Sequence, residues 1–139
     1  MGSSTCTTRR GGPTPSVLLV SLTFALTGCA LLEDPVHSQW EGRATLPSCG
    51  AIALDQGEAL EDEGRSPVAC LRDGMSSGKG AELVVHFPTV EGDPITEYRR
   101  VTPDGSTEVY TDSTQDEYSD QSWSFGSCES PGSALDSAC

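Results

Sequence analysis

Two short stretches, residues 89–95 (TVEGDPI) and 112–118 (DSTQDEY), carry most of the side chains that could do chemistry. They hold Glu91, Asp93, Asp112 and Asp116. Clustered carboxylates suit either a hard cation such as Ca²⁺, which takes about six to eight oxygen ligands, or a carboxylate-dependent hydrolase. Asp112, Thr114 and Asp116 have the alternate spacing of an oxygen-ligand loop. The EF-hand comparison fails, because Glu117 stands where that loop needs Gly and Trp123 where it needs a bidentate Glu. The favoured reading is that Asp and Thr cap backbone amides in turns, with Gly92 supplying a positive φ. A Ser/His/Asp set would have to use His37 or His86, and no serine is expected in a Gly-x-Ser-x-Gly elbow. No catalytic residue is named, and the chain reads as a non-enzyme. Six cysteines remain to be explained.

The first of these to place is Cys29. Arg9 and Arg10 precede an apolar run over residues 17–26, and residues 1–28 contain no Asp or Glu. A charged start, a short apolar middle and small residues at the end form an export signal. The run is too short for a membrane span, which needs about 20 apolar residues. Leu26-Thr27-Gly28-Cys29, at its end, resembles the lipobox of bacterial lipoproteins. The resemblance implies that the Cys29 thiol receives a diacylglyceryl group, that residues 1–28 are cleaved away, and that the protein sits lipid-anchored on the outer face of the cytoplasmic membrane. Two acyl chains hold where a single myristoyl chain binds only marginally. Gly11-Gly12-Pro13 follows Arg9-Arg10 where a twin-arginine signal would have a bulky apolar residue, which favours general secretion.

Loss of residues 1–28 removes two of the eight basic residues and none of the 21 acidic ones. A domain this acidic lacks the Lys/Arg footprint of a nucleic-acid binder, and anionic headgroups repel it within the screening length. The partners expected are therefore the membrane, through Cys29, and an envelope protein or cell-wall component. Residues 29–42 read as lipid anchor and tether, 43–129 as a single domain and 130–139 as a small-residue tail. With Cys6 in the signal and Cys29 acylated, Cys49, Cys70, Cys128 and Cys139 remain, an even number in an exported chain. Zinc would need close Cys or His pairs that the sequence lacks. Four cysteines allow three disulfide connectivities; the sequential set, Cys49–Cys70 with Cys128–Cys139, is preferred, and the spacing alone does not choose.

The elements that must position these residues follow from patterning. Ser66-Pro67 reads as a cap and first helical position, and Val68, Leu71 and Met75 recur at helical spacing until Ser76-Ser77-Gly78. Residues 81–87 alternate, with Leu83, Val85 and Phe87 on one face and Glu82, Val84 and His86 on the other. Residues 95–102 and 107–111 alternate likewise around a Pro103-Asp104-Gly105 turn, residues 122–128 make a fourth strand, and residues 49–54 suit another. The predicted fold is α+β, a short helix on a small antiparallel meander stapled by disulfides. In a meander, chain direction brings both acidic stretches to one end of the sheet. Tyr98, Tyr110 and Trp123 are expected as exposed contact aromatics, and some of them suit the core equally.

In their order, the TVEGDPI and DSTQDEY motifs followed by Cys128 and Cys139 resemble a family of small exported bacterial lipoproteins, actinobacterial in composition, that contain a domain of unknown function. The likeness covers residues 80–139. It implies a Cys128–Cys139 pair and no activity. The functional expectation is a binding domain, with Ca²⁺ binding or Ca²⁺ stabilisation as the alternative and a carboxylate hydrolase behind both.

Overall fold

The computed structural model describes residues 33–128. The signal, Cys29, the tail, Cys139 and the side chain of Cys128 lie outside the described residues, so the assignments made to them are not met by any contact below.

Five strands form one sheet in sequence order: β1 (Ser48–Ala53), β2 (Ala81–Pro88), β3 (Pro94–Val101), β4 (Thr107–Asp112) and β5 (Trp123–Cys128). The α+β fold, with a helix on a mostly antiparallel sheet, is as the patterning predicts. β2 to β5 pair antiparallel, in the expected meander. β1 instead lies parallel to β2 at the edge. Parallel strands need a long crossover, and residues 54–80 supply one that contains helices α2 (Leu60–Glu63) and α3 (Arg65–Ser76). Between β3 and β4 the turn forms at Pro103-Asp104-Gly105. The Thr102 and Ser106 hydroxyls donate to the Asp104 carboxylate and push its pKa down to about 2.

α3 begins earlier than Ser66 suggests. Gly64 stands at its N-cap and makes no side-chain cap, so Pro67 falls within the first turn, where its missing N–H costs nothing. Its apolar stripe is the predicted one: Val68 and Leu71 are buried and Met75 packs at the margin. They meet Leu83, Val85 and Val101 from the sheet and Leu60 from α2, forming the apolar core. Gly74 permits this close crossing, because a Cβ there would stand 2.5 Å from the Ala81 Cβ and 2.9 Å from the Gly80 carbonyl.

Cys49 of β1 and Cys70 of α3 form a disulfide across 21 residues of sequence. It ties the parallel edge strand to its own crossover helix. A loop of that length is worth about 3 kcal/mol in the chain-entropy model. Cys49→Ser is expected to lower the urea-unfolding free energy by about that amount, and reduced wild type should match it. Equal midpoints for oxidised wild type and the variant would show that the staple does no such thing.

The opposite face of the sheet is covered as well. Helix α1 (Pro35–Glu41) lies there, within the stretch that the sequence reads as tether. Its start is legible with hindsight: Asp34 caps the Val36 and His37 amides and Pro35 follows at the first helical position. Its capping Asp34 accepts a hydrogen bond from the Trp123 amide at one end of the sheet, while Arg43 beyond its other end pairs with Glu82.

Candidate functional site at the loop end of the sheet

On the α1 face, residues of one strand sit opposite their neighbours in three rows. Glu82, Arg100 and Glu108 form the first, Val84, Tyr98, Tyr110 and Phe125 the second, and His86, Thr96, Asp112 and Trp123 the third.

The first row is ionic and largely dry. Arg43 donates from Nε and Nη2 to the two oxygens of Glu82, at 2.9 and 3.0 Å, a bidentate pair. Arg100 also donates to Glu82, at 3.0 Å, and to Glu108 and the Ala44 carbonyl. Its side chain is only 4% exposed.

The second and third rows meet α1 through rings. Trp40 stands 4.9 Å from Tyr98 and 5.0 Å from Trp123, centroid to centroid, and His37 lies 4.9 Å from Trp123. The Arg43 guanidinium sits 4.2 Å over the Trp40 ring. Tyr110 is 2% exposed and Tyr98 half-buried, and burial raises the pKa of both phenols. Of the two readings of Tyr98, Tyr110 and Trp123, exposed contact surface or core, the packing favours the second: α1 covers them, and His37 belongs to this packing rather than to a tether.

Asp34 holds the ring cluster closed at one end. Its carboxyl lies below the usual carboxylate range, chiefly because the Trp123 amide donates to it at 2.7 Å, with the Val36 and His37 amides adding to the effect. A lowered folded-state pKa contributes stability that is present above the unfolded value and lost as pH falls through the folded one. Trp40 and Trp123 emission is thus expected to be constant at neutral pH and to shift to the red below about pH 4. Asp34→Ala should show the red-shifted emission at neutral pH; a variant spectrum identical to wild type would separate Asp34 from α1 docking.

The third row leads into the acidic loops. Loops 89–93 and 113–122 leave the same end of the sheet, as the meander requires, and touch: the Glu117 amide donates to Asp93 Oδ2 at 3.0 Å. Loop 54–59 joins them, with Gln56 donating to the Thr89 carbonyl. Within the loops the carboxylates serve backbone amides. Asp112 accepts from the Thr114 amide and hydroxyl, at 3.0 and 2.7 Å, and Asp116 from the Tyr118 amide at 2.9 Å. The Thr89 hydroxyl accepts from the Asp93 amide, and Gly92 turns the chain at φ 100°. Glu91 stands exposed between Val90 and Gly92. Among the described residues, no three His, Cys, Asp or Glu side chains are grouped to hold a metal ion.

Two residues at this end carry no sequence assignment. Val90 is 80% exposed and Tyr118 77%, one on each acidic loop. Large apolar residues standing out at loop tips are what the alternation pattern cannot flag, since it reads only strands and helices. His86 is exposed, as its register predicts, and bonds Thr96 at 3.0 Å. Near it a shallow apolar depression of about 190 Å³ opens between Leu54, Phe87, Pro94 and Ile95. The expectation that no serine stands in the Gly-x-Ser-x-Gly spelling of a nucleophile elbow is corrected, since Gly74-Met75-Ser76-Ser77-Gly78 has it. That device needs a strand-to-helix turn, whereas this stretch closes the C-terminal end of α3, with Ser76 Oγ donating to the Arg72 carbonyl.

No described helix is long and apolar enough to cross a membrane. No protein-family model, curated protein or solved structure matches the chain.

Proposed function

We propose that this chain is a bacterial lipoprotein, anchored through Cys29 on the outer face of the cytoplasmic membrane, whose domain binds a partner rather than catalysing a reaction. The observation that carries the reading is that Val90 and Tyr118 each stand exposed, one on each of two loops joined by the Asp93–Glu117 hydrogen bond. Binding energy concentrates in a few apolar or aromatic anchors within a polar rim, and these two stand among Glu91, Asp116 and Glu117. Loops tied to each other and to a rigid sheet hold such anchors in place before the partner arrives. The signal-like start and the Leu26-Thr27-Gly28-Cys29 motif support the anchor. Ca²⁺ binding is the weaker reading, because Asp93, Asp112 and Asp116 already accept from backbone amides.

The test is cross-linking in intact cells followed by identification of the captured neighbour. Val90→Ser/Tyr118→Ser is expected to reduce capture about tenfold or more, since each anchor is worth about 1 kcal/mol or more. Thermal stability should move by no more than about 0.5 kcal/mol, as for surface changes generally. Cys29→Ser should release the protein or leave it uncleaved. Undiminished capture by the double variant would reject the loop surface, and unchanged processing and retention of Cys29→Ser would reject the anchor.

A further inference from the structure

A strand at the edge of a sheet leaves one side of its backbone without a neighbour, and β1 and β5 stand at the edges here. On β5 the first outward amide is taken, because the Trp123 N–H donates to Asp34. β1 is closed at its two ends and open between them. At its start the chain bulges, with Gly50 at φ 91°, and the Gly50 amide donates to the Ser48 hydroxyl at 3.0 Å. Just past its end the Asp55 amide donates to the Glu58 carboxylate at 2.7 Å.

Successive residues of a strand turn their N–H and C=O groups to alternate sides. The Leu54 amide donates to the His86 carbonyl of β2, so the backbone groups of Ile52 and Leu54 point into the sheet and those of Ala51 and Ala53 point outward. Both alanines are exposed, and among the described residues nothing pairs with their outward N–H and C=O groups. Edges are ordinarily blunted by a charge, a Pro or a bulge, and Ala51-Ile52-Ala53 has none of these. Ala53 also lines the apolar depression of about 190 Å³ between Leu54, Phe87, Pro94 and Ile95. A strand added at about 4.8 Å from β1 sets the side chain opposite Ala53 at the rim of that depression.

We infer that β1 binds an extended peptide segment of another protein by strand addition, with main-chain hydrogen bonds to Ala51 and Ala53, an apolar residue at the depression, and Lys or Arg on the flanks. Backbone pairing supplies affinity in this mode, and the side-chain seat supplies specificity. Charge fixes the flanks. Residues 55–63, which leave the end of β1, contain Asp55, Glu58, Glu61, Asp62 and Glu63 and no Lys or Arg. Basic flanks complement them, whereas a second copy of this chain brings the same five carboxylates and a formal net charge of −13 to the edge. Neither Val90 and Tyr118 nor Cys29 takes part, so this edge and the loop surface proposed above can fail separately.

The probe is a phage-displayed library of random peptides panned on the full-length protein, and the readout is amide exchange of that protein by nuclear magnetic resonance. In the free protein the Ala51 and Ala53 amides should exchange about tenfold or more faster than those of Ile52 and Leu54. Selected peptides are expected to carry an apolar, β-branched run between Lys or Arg residues, and at saturation to slow exchange at Ala51 and Ala53 about tenfold or more. N-methylation of alternate peptide amides should abolish binding in one frame and spare it in the other, because only one set of amides faces β1. Ala53→Pro removes an outward donor without touching the β2 ladder and should weaken binding about fivefold or more. The N-methylated pair decides the matter even where that variant unfolds. No enrichment, equal binding by both N-methylated frames, or protection confined to other residues would overturn the strand-addition site. Selection of peptides with acidic flanks would overturn the charge assignment. Protection of Ala51 and Ala53 that grows with protein concentration in the absence of peptide would give the edge to a second copy and overturn the peptide partner.

Discussion

Arg100→Ala is expected to destabilise the domain by about 3–5 kcal/mol, the cost of breaking a buried ion pair by removing one partner. Arg100 sits between two carboxylates, Glu82 and Glu108, and its side chain is almost wholly shielded from water. Without the guanidinium, Glu82 keeps Arg43 alone among the described cations that pair with it, and Glu108 and the Ala44 carbonyl lose the donor that Arg100 provides. The loss is mainly the penalty of the stranded carboxylates rather than the intrinsic worth of the bridge. Arg100→Met/Glu108→Leu should therefore recover a good part of the stability, because it removes a stranded charge and fills the space with apolar volume. Urea unfolding of the three proteins checks this. A single variant within about 0.5 kcal/mol of wild type would mean that water already reaches the row, as for surface ion pairs.

Trp40→Ala comes next, at about 3 kcal/mol, the low end for loss of a packed ring because Trp40 is only partly buried. Trp40 is the residue through which α1 grips the sheet: it touches Tyr98 and Trp123 and carries the Arg43 guanidinium over its face. A seven-residue helix is far too short to persist alone, so its stability comes from that packing. For a domain of this size the loss corresponds to a fall in melting temperature of roughly 12 °C or more. Trp40→Phe should cost much less, since it keeps an aromatic ring and removes an indole N–H that is buried with no hydrogen-bond partner among the described residues. Loss of α1 would also expose the Trp123 ring, so near-ultraviolet dichroism should collapse in the Ala variant and persist in the Phe variant. A melting temperature within about 1 °C of wild type after Trp40→Ala would mean that α1 does not hold the sheet.

Much of the architecture is readable from local patterning. Period-two alternation marks β2, β3 and β4, the Pro-Asp-Gly turn joins two of them, and the Val68, Leu71, Met75 stripe marks α3. Each of these signals is a property of consecutive residues, so no knowledge of the partner surface is needed. The common end of the acidic loops follows too, because a meander with short connections leaves the chain no other course. Patterning fails at α1. Its seven residues, PVHSQWE, are half polar and contain no repeat long enough to show a face. Only the sheet's second face, already lined by Tyr98, Tyr110 and Trp123, makes that segment worth ordering.

By itself the sequence determined the α+β class, the strands and the single helix α3, the excess of carboxylates and the export-signal pattern, all of which are written in local order or composition. The tertiary structure decided the rest: that β1 runs parallel, that Cys49 pairs with Cys70, that the aromatics lie under α1, and that the loop carboxylates serve amides and leave Val90 and Tyr118 outermost. These depend on which distant segments meet. Burial and pairing are relations between surfaces, and a one-dimensional pattern carries only one side of each.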